Sequence, residues 1–308
     1  MSAPGPLVRM RALLPSELPA HPDLSSLQGS GTVPELSTFM TSVLNEAETF
    51  MTTYMSKSFT VKAENKPASP SKASVKLLEK TITSAELPKS STTTGAAEET
   101  WFARSSTHEN ASKAGSANWS EFEYGLLDDH SAHEMDYTPD VFDAHRVLSW
   151  DDQMGSVPGY EKPRLSIFEM AHKIPPPLNN RVFCVAVATA TAVGGSSFLV
   201  VQIPVDITRV SKALYANGRN RTDGDSAVKK KAVELGQYVS IERCELLDEG
   251  KSVQWQMGTA SDARGVLPMW VQKMAVPGAI VKDVSYFMEW IQNRRQGKGN
   301  ESGAGAGA

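Results

Sequence analysis

His130, His133 and Glu134 are close enough in sequence to suggest a metal site, since two histidines three apart on a helix can face one ion. They share that face with Phe122 and Leu126, and no third ligand stands nearby in sequence. A partly buried, hydrogen-bonded pair is the plainer reading, and no metal is assigned. His108 could join them only in space. Asp262 follows a strand-like run at a turn, where its plain role is to accept backbone N–H bonds. Its sharper role is a general acid or base at a pocket mouth, with His108 and Tyr137 as the other acid/base candidates. Arg104 and Arg243 stand in strand-like segments. Either could turn inward and hold a carboxylate or phosphate bidentately, although exposed strand charges are commoner. Glu242 and Arg243 are adjacent on one strand, so they point to opposite faces, as do Trp101 and Arg104.

The familiar catalytic and nucleotide-binding signatures are missing: Walker A, G-x-G-x-x-G, C-x-x-C and G-x-S-x-G. Gly194-Gly195 lies between two strand-like runs and reads as a hairpin turn, not a phosphate cradle. No cofactor is expected. The net charge of −4 argues against a general nucleic-acid binder. The basic run Lys229-Lys230-Lys231 sits in a polar loop and reads as a solvated face. Cys184 and Cys244 fall in apolar strand-like segments and read as buried thiols. The first thirty residues hold no signal-peptide core, and no segment approaches ~20 uninterrupted apolar residues. A soluble, cytoplasmic protein is expected.

The elements that must position these residues read as follows. Residues 1–30 are rich in Pro, Ser and Leu without a period and are expected to form a disordered arm. A helix over 31–58 opens on a Thr32/Glu35 capping box. It keeps 3/4 spacing through Leu36, Phe39, Met40, Val43, Leu44, Ala47, Phe50, Met51 and Tyr54, which calls for packing on a core. Residues 59–97 read as linker-rich, with a strand or short helix around Leu77–Leu87. Trp101–His108 reads as a strand. Ser120 with Glu123 opens a helix that carries Phe122, Leu126, His130, His133 and Tyr137, and Thr138-Pro139 starts another that runs to Trp150. Strands are expected over 165–173, 181–190, 198–205, 237–247 and 253–261. A last helix has Pro277 in its first turn and Ile280, Val284, Phe287 and Ile291 on one face. The tail 295–308 is too poor in apolar residues to fold. Helices segregated at the ends of an antiparallel run indicate an α+β fold.

This order resembles the helix-grip fold of the START and birch-pollen-allergen superfamily, in which a curved antiparallel sheet wraps a long C-terminal helix, with helices inserted near the N-terminal strands. The resemblance rests on Pro175–Pro177 leading through Arg181 into Phe183, on Trp150-Asp151, and on Gly265-Val266-Leu267-Pro268-Met269-Trp270 before the final helix. WFARSSTH, NWSEF through HSAHEMDYT, QYVSIERCELL and QWQMGTASDARGVLPMW through KDVSYFMEW look like signature stretches of a fungal START-like family of unknown function. The likeness covers about residues 98–292, within a START-like domain expected over 98–294, and departs from the pattern at Ser105. It implies a cavity for a lipid, sterol or similar hydrophobic ligand. Phe183, Val185, Phe198, Val200, Trp255, Met257, Ile280, Val284 and Phe287, core by default, would line it, with Arg104 or Arg243 as polar anchors. Non-catalytic binding or transfer is the leading expectation, with transient membrane contact. A polyketide cyclase or dehydratase using the same cavity is the alternative.

Overall fold

The β-branched, alternating runs of the second half of the chain form strands, as their spacing predicts. The computed structural model describes residues 5–88, 98–220, 233–265 and 269–297. Among these, nine strands form one sheet: β1 (Thr60–Lys66), β2 (Val75–Thr83), β3 (Glu98–Glu109), β4 (Val141–Ser149), β5 (Tyr160–His172), β6 (Asn180–Ala192), β7 (Ser197–Pro204), β8 (Val233–Leu247) and β9 (Ser252–Asp262). Their order across the sheet is β1-β2-β3-β9-β8-β7-β6-β5-β4. Sequential neighbours pair antiparallel. The start of β8 also runs parallel to the start of β6, with Asn180 opposite Val233, because β7 is too short to separate the two along their whole length. Gly194 and Gly195, at φ 90° and 69°, make the tight turn between β6 and β7 that only glycine adopts without strain. The helices are α1 (Ser25–Gln28), α2 (Leu36–Thr49), α3 (Ser56–Ser58), α4 (Trp119–Phe122), α5 (His130–Tyr137) and α6 (Met269–Arg295). Wider π-helical turns over Phe50–Met55 and Glu123–Leu127 continue α2 and α4.

Both faces of the sheet are covered, and strand parity sorts side chains between them. Val182, Ala186, Leu199, Val201, Val239 and Ile241 pack beneath α2, whose Phe39, Met40, Val43, Leu44 and Ala47 are buried. Val185, Phe198, Val200, Trp255 and Met257 point to the other face, where Ile280, Val284, Phe287, Met288 and Ile291 of α6 meet them. The amphipathic stripe of α2 is thus absorbed by the sheet.

Several elements differ from the sequence reading. The expected arm is ordered over its described part: Leu13, Leu18 and Leu24 are fully buried on the α2 face. Glu46 of α2 accepts the N–H groups of Leu7 and Val8 at 2.9 and 3.1 Å, and Leu13 bridges to Val205. The linker-rich stretch contains β1 and β2. The helix expected over 138–150 is the edge strand β4, where register shifts between Val141 and Asp143 and between Arg146 and Leu148 break the two-residue period. Trp150 accordingly follows a strand, and its indole donates to the carbonyl of Ala20. The caps also move. Glu35 itself caps α2 through the Ser37 and Thr38 N–H groups, and Asn118 with Glu121 forms the box that opens α4. Pro277 lies inside α6 rather than in its first turn. The 89–97 stretch, the loop around Lys229–Lys231, Val266-Leu267-Pro268 and the tail beyond 297 lie outside the described residues.

Candidate functional site

Between the N-terminal half of α6 and the sheet lies a cavity of about 460 Å³, inside the range of about 300–1,000 Å³ usual for small-ligand sites. It exists because the α6 face of the sheet is filled unevenly. At the C-terminal half of α6, Phe287 stacks on Phe122 with ring centroids 5.2 Å apart, and meets Trp255 at 5.1 Å and Tyr137 at 5.8 Å. The α4–α5 insert is wedged there between sheet and helix. Gly125 permits the approach, since a Cβ would stand 2.5 Å from the Phe287 ring. Toward the other end the insert and its exit into β4 give the wall Glu134, Thr138 and Asp140. Met170, Phe183, Met257, Ile280 and Tyr286 bound open space instead.

Of the nine apolar residues expected at a cavity wall, Phe183, Met257 and Ile280 line it. Val185, Phe198, Val200, Trp255, Val284 and Phe287 face the same side but are consumed in the packed end of the cluster. Arg243 turns the other way. Its guanidinium holds Glu48 of α2, with Nε 3.0 Å from both carboxylate oxygens, and Glu245. That corrects its assignment as a cavity anchor: parity along β8 gives Arg243 to the α2 face and Glu242 to the cavity side. Arg104 does face the α6 side. Its Nη2 lies 3.3 Å from Glu242, its guanidinium lies 3.9 Å above the Trp255 ring, and Nε and Nη1 have no partner. It is not part of the lining.

The three acid/base candidates have separate surroundings, and none lines the cavity. His108 bonds Ser106 Oγ at 2.8 Å and packs on Phe122 and Trp255. Burial, with Arg104 nearby, pushes it down to about 3. Tyr137 packs on Phe287 and Trp290, and burial raises its phenol well above the usual value. Asp262 takes the plain role, accepting the Arg264 N–H at 2.8 Å. His130 and His133 diverge. His130 Nδ1 bonds the Leu126 carbonyl and its Nε2 faces Gln202, while His133 lies between the rings of Tyr124 and Trp290.

The polar groups that do reach the wall include Glu134, Gln202, Tyr238 and Asp283. Burial, reinforced by Glu242 and Asp283, pushes Glu134 up to about 8. Burial also lifts Asp283 to about 7, with Glu242 adding to the shift and Arg104 opposing it. His172 of β5, also on the wall, is driven down to about 4 by burial, with Asp140 opposing the shift. The signal for Asp283 was present in the sequence: it sits three residues after Ile280 and four before Phe287, a carboxylate on the apolar stripe of the helix. Gln202 breaks the inward series Phe198, Val200 in the same way.

A curved antiparallel sheet closed by a C-terminal helix over a cavity is the START helix-grip architecture. The crystal structure of human STARD10 matches with TM-score 0.52 at 9% identity, covering 82% of this chain and 81% of that one. Human StAR-related lipid transfer protein 5 matches with TM-score 0.51 at 10% identity, covering 84% and 98%. At such identities the likeness is one of fold. The chain belongs to the family described as "Protein of unknown function (DUF3074)", whose model matches residues 101–291. No curated protein matches it. Among the described residues, no helix is long and apolar enough to cross a membrane.

Proposed function

We propose that this protein binds a hydrophobic ligand in the cavity between α6 and the sheet, as a carrier or sensor that leaves the ligand chemically unchanged. The observation that carries this reading is the unfilled, largely apolar space walled by Phe183, Met257 and Ile280 beside a tightly packed aromatic end. A chain that closes one end of a helix–sheet interface and leaves the other hollow has a place for a guest. At ~0.8 kcal/mol per buried CH₂, a tail of about a dozen carbons gains several kcal/mol there. Human StAR-related lipid transfer protein 5 shares the fold, which supports the same use. His108, Tyr137 and Asp262 are each engaged away from the wall, so binding accounts for the cavity without turnover. Native mass spectrometry and solvent extraction of the purified chain test the reading. A bound apolar molecule recovered intact is expected. An empty protein whose tryptophan fluorescence ignores a panel of lipids sinks it.

A further inference from the structure

Among the described residues, two half-buried carboxyls on the cavity wall are paired with no guanidinium or ammonium. Glu134 on α5, Glu242 on β8 and Asp283 on α6 act on one another electrostatically, and among the described residues Arg104 on β3 is the guanidinium that acts on Asp283, while that of Arg181 stands elsewhere on the wall. Arg104 is committed to Glu242 at 3.3 Å and to the Trp255 ring, and Glu242 also accepts the Trp255 indole N–H at 2.6 Å. Glu134 and Asp283 are left over, and both line the cavity. Glu134 Oε2 is buried with no hydrogen-bond partner. The basic atom beside it, His130 Nε2 at 3.5 Å, belongs to a ring that burial keeps neutral. The other groups facing these two acids, Gln202 on β7 and Tyr238 on β8, carry no positive charge. Elsewhere on the wall, the Arg181 guanidinium is taken by the carbonyls of Asn179, Ala263 and Arg264. Lys173 and Lys282 are exposed at the rim.

A half-buried carboxylate with no counter-charge, as Asp283 is and as Glu134 is beside the neutral Gln202 amide, gains from a cation or a proton. Resting on the binding reading above, we propose that the guest is a cationic amphiphile: a hydrocarbon chain ending in a protonated amine, with the ammonium between Glu134 and Asp283 and the chain along Phe183, Met257 and Ile280. The three N–H donors of an ammonium suffice for two carboxylates and a neutral neighbour such as Gln202. An anionic head would face two carboxyls where it needs cations. A hydroxyl head would leave the carboxyls without a counter-charge.

Probes of one chain length separate the head from the tail. Dodecylamine, dodecanoic acid and dodecanol are titrated into the full chain by calorimetry at about pH 8, with the amine expected to bind ~10-fold or more tighter than the other two. The doubly neutral variant Glu134→Gln/Asp283→Asn should lose that preference and keep its affinity for dodecanol. Should that variant fail to fold, the unaltered protein still decides. Amine binding should weaken ~10-fold or more from about pH 8.5 to about pH 6, as the two carboxyls take up protons, while dodecanoic acid shows no such loss. Equal affinity for all three probes, or an amine affinity indifferent to pH, overturns the amine assignment and leaves the cavity reading standing. Failure of all three to bind overturns both.

Discussion

Arg104 and Glu242 form a buried ion pair, with side chains 1% and 7% exposed, and cutting it should be expensive. At 3.3 Å, and at an effective dielectric of about 20, their attraction is about 5 kcal/mol. Most of that is offset by the cost of drying two charges, so the pair as a whole adds little to stability. Removing one member is different, because the desolvation of the survivor is no longer compensated. Arg104→Met should therefore cost about 3–5 kcal/mol, a large share of the ~5–15 kcal/mol that holds a typical domain together. The loss has a second signature. Arg104 also opposes the upward shift of Asp283, so without it that carboxyl is harder to keep ionised, and Arg104→Met should be less damaging at pH 5 than at pH 8. Glu242→Gln should also destabilise, by leaving the Arg104 guanidinium bare, and the double variant should recover to within about 2 kcal/mol of the parent. That amounts to a coupling energy of roughly 3 kcal/mol or more. Urea denaturation followed by tryptophan fluorescence measures all four proteins, with a constant m-value as the check on two-state behaviour. A single Arg104→Met loss below ~1 kcal/mol, or a double variant as damaged as the sum of the singles, would refute the account of this pair.

Other perturbations follow from the same geometry. In Gly236→Ala the new Cβ would stand 2.4 Å from the Phe183 ring and 3.1 Å from the Asp262 carbonyl, so the ring must swing. A loss of about 1–3 kcal/mol is expected, with less co-purifying ligand by mass spectrometry. Phe287→Ala, at the packed end, should cost ~3–5 kcal/mol by denaturation; Ile280→Ala, beside open space, should cost less and change ligand retention more. Carboxyls whose folded values lie above their unfolded ones stabilise the fold while protonated. The contribution of Glu134 is complete below about 4.5 and lost as pH rises through about 8, and that of Asp283 runs from 3.8 to about 7. Glu134→Gln should therefore raise the melting temperature at pH 8 more than at pH 5, and an equal effect at both would contradict the burial of that carboxyl. Deleting residues 1–28 removes the fully buried Leu13, Leu18 and Leu24, and a lowered melting temperature or insoluble expression is expected.

The periodic parts of the fold were legible and the aperiodic parts were not. The stripe on α2, the hairpin at Gly194-Gly195 and the inward set Val253, Trp255, Met257 on β9 declare themselves because one face of each is buried over several repeats. Residues 5–28 carry buried leucines at no fixed interval, since each is placed by a separate long-range contact. The Leu13–Val205 bridge and the Glu46 carboxylate on the Leu7 and Val8 N–H groups are two such contacts. Strand β4 reads as a helix because its bulges spoil the alternation. Glu169 shows the same limit for polar groups. Its buried carboxylate accepts the N–H groups of Leu214, Tyr215 and Ala216, more than forty positions away.

The sequence alone determined which residues of a strand or helix share a face, since parity along a strand and the 3.6-residue turn are properties of the local backbone; which face of β8 meets α6 was settled by the fold, and Arg243 fell on the other one. It already separated Glu242 from Arg243 and set Asp283 on an apolar stripe. Only the tertiary structure decided which inward residues become core and which become cavity wall. That division depends on where the α4–α5 insert is wedged, and Gly125 against Phe287 sets the position. Trp255 and Met257 have the same parity on β9; one is sealed in the aromatic cluster and the other looks into the hollow. Spacing along a chain carries direction, but whether space remains there is settled by what arrives from elsewhere to fill it.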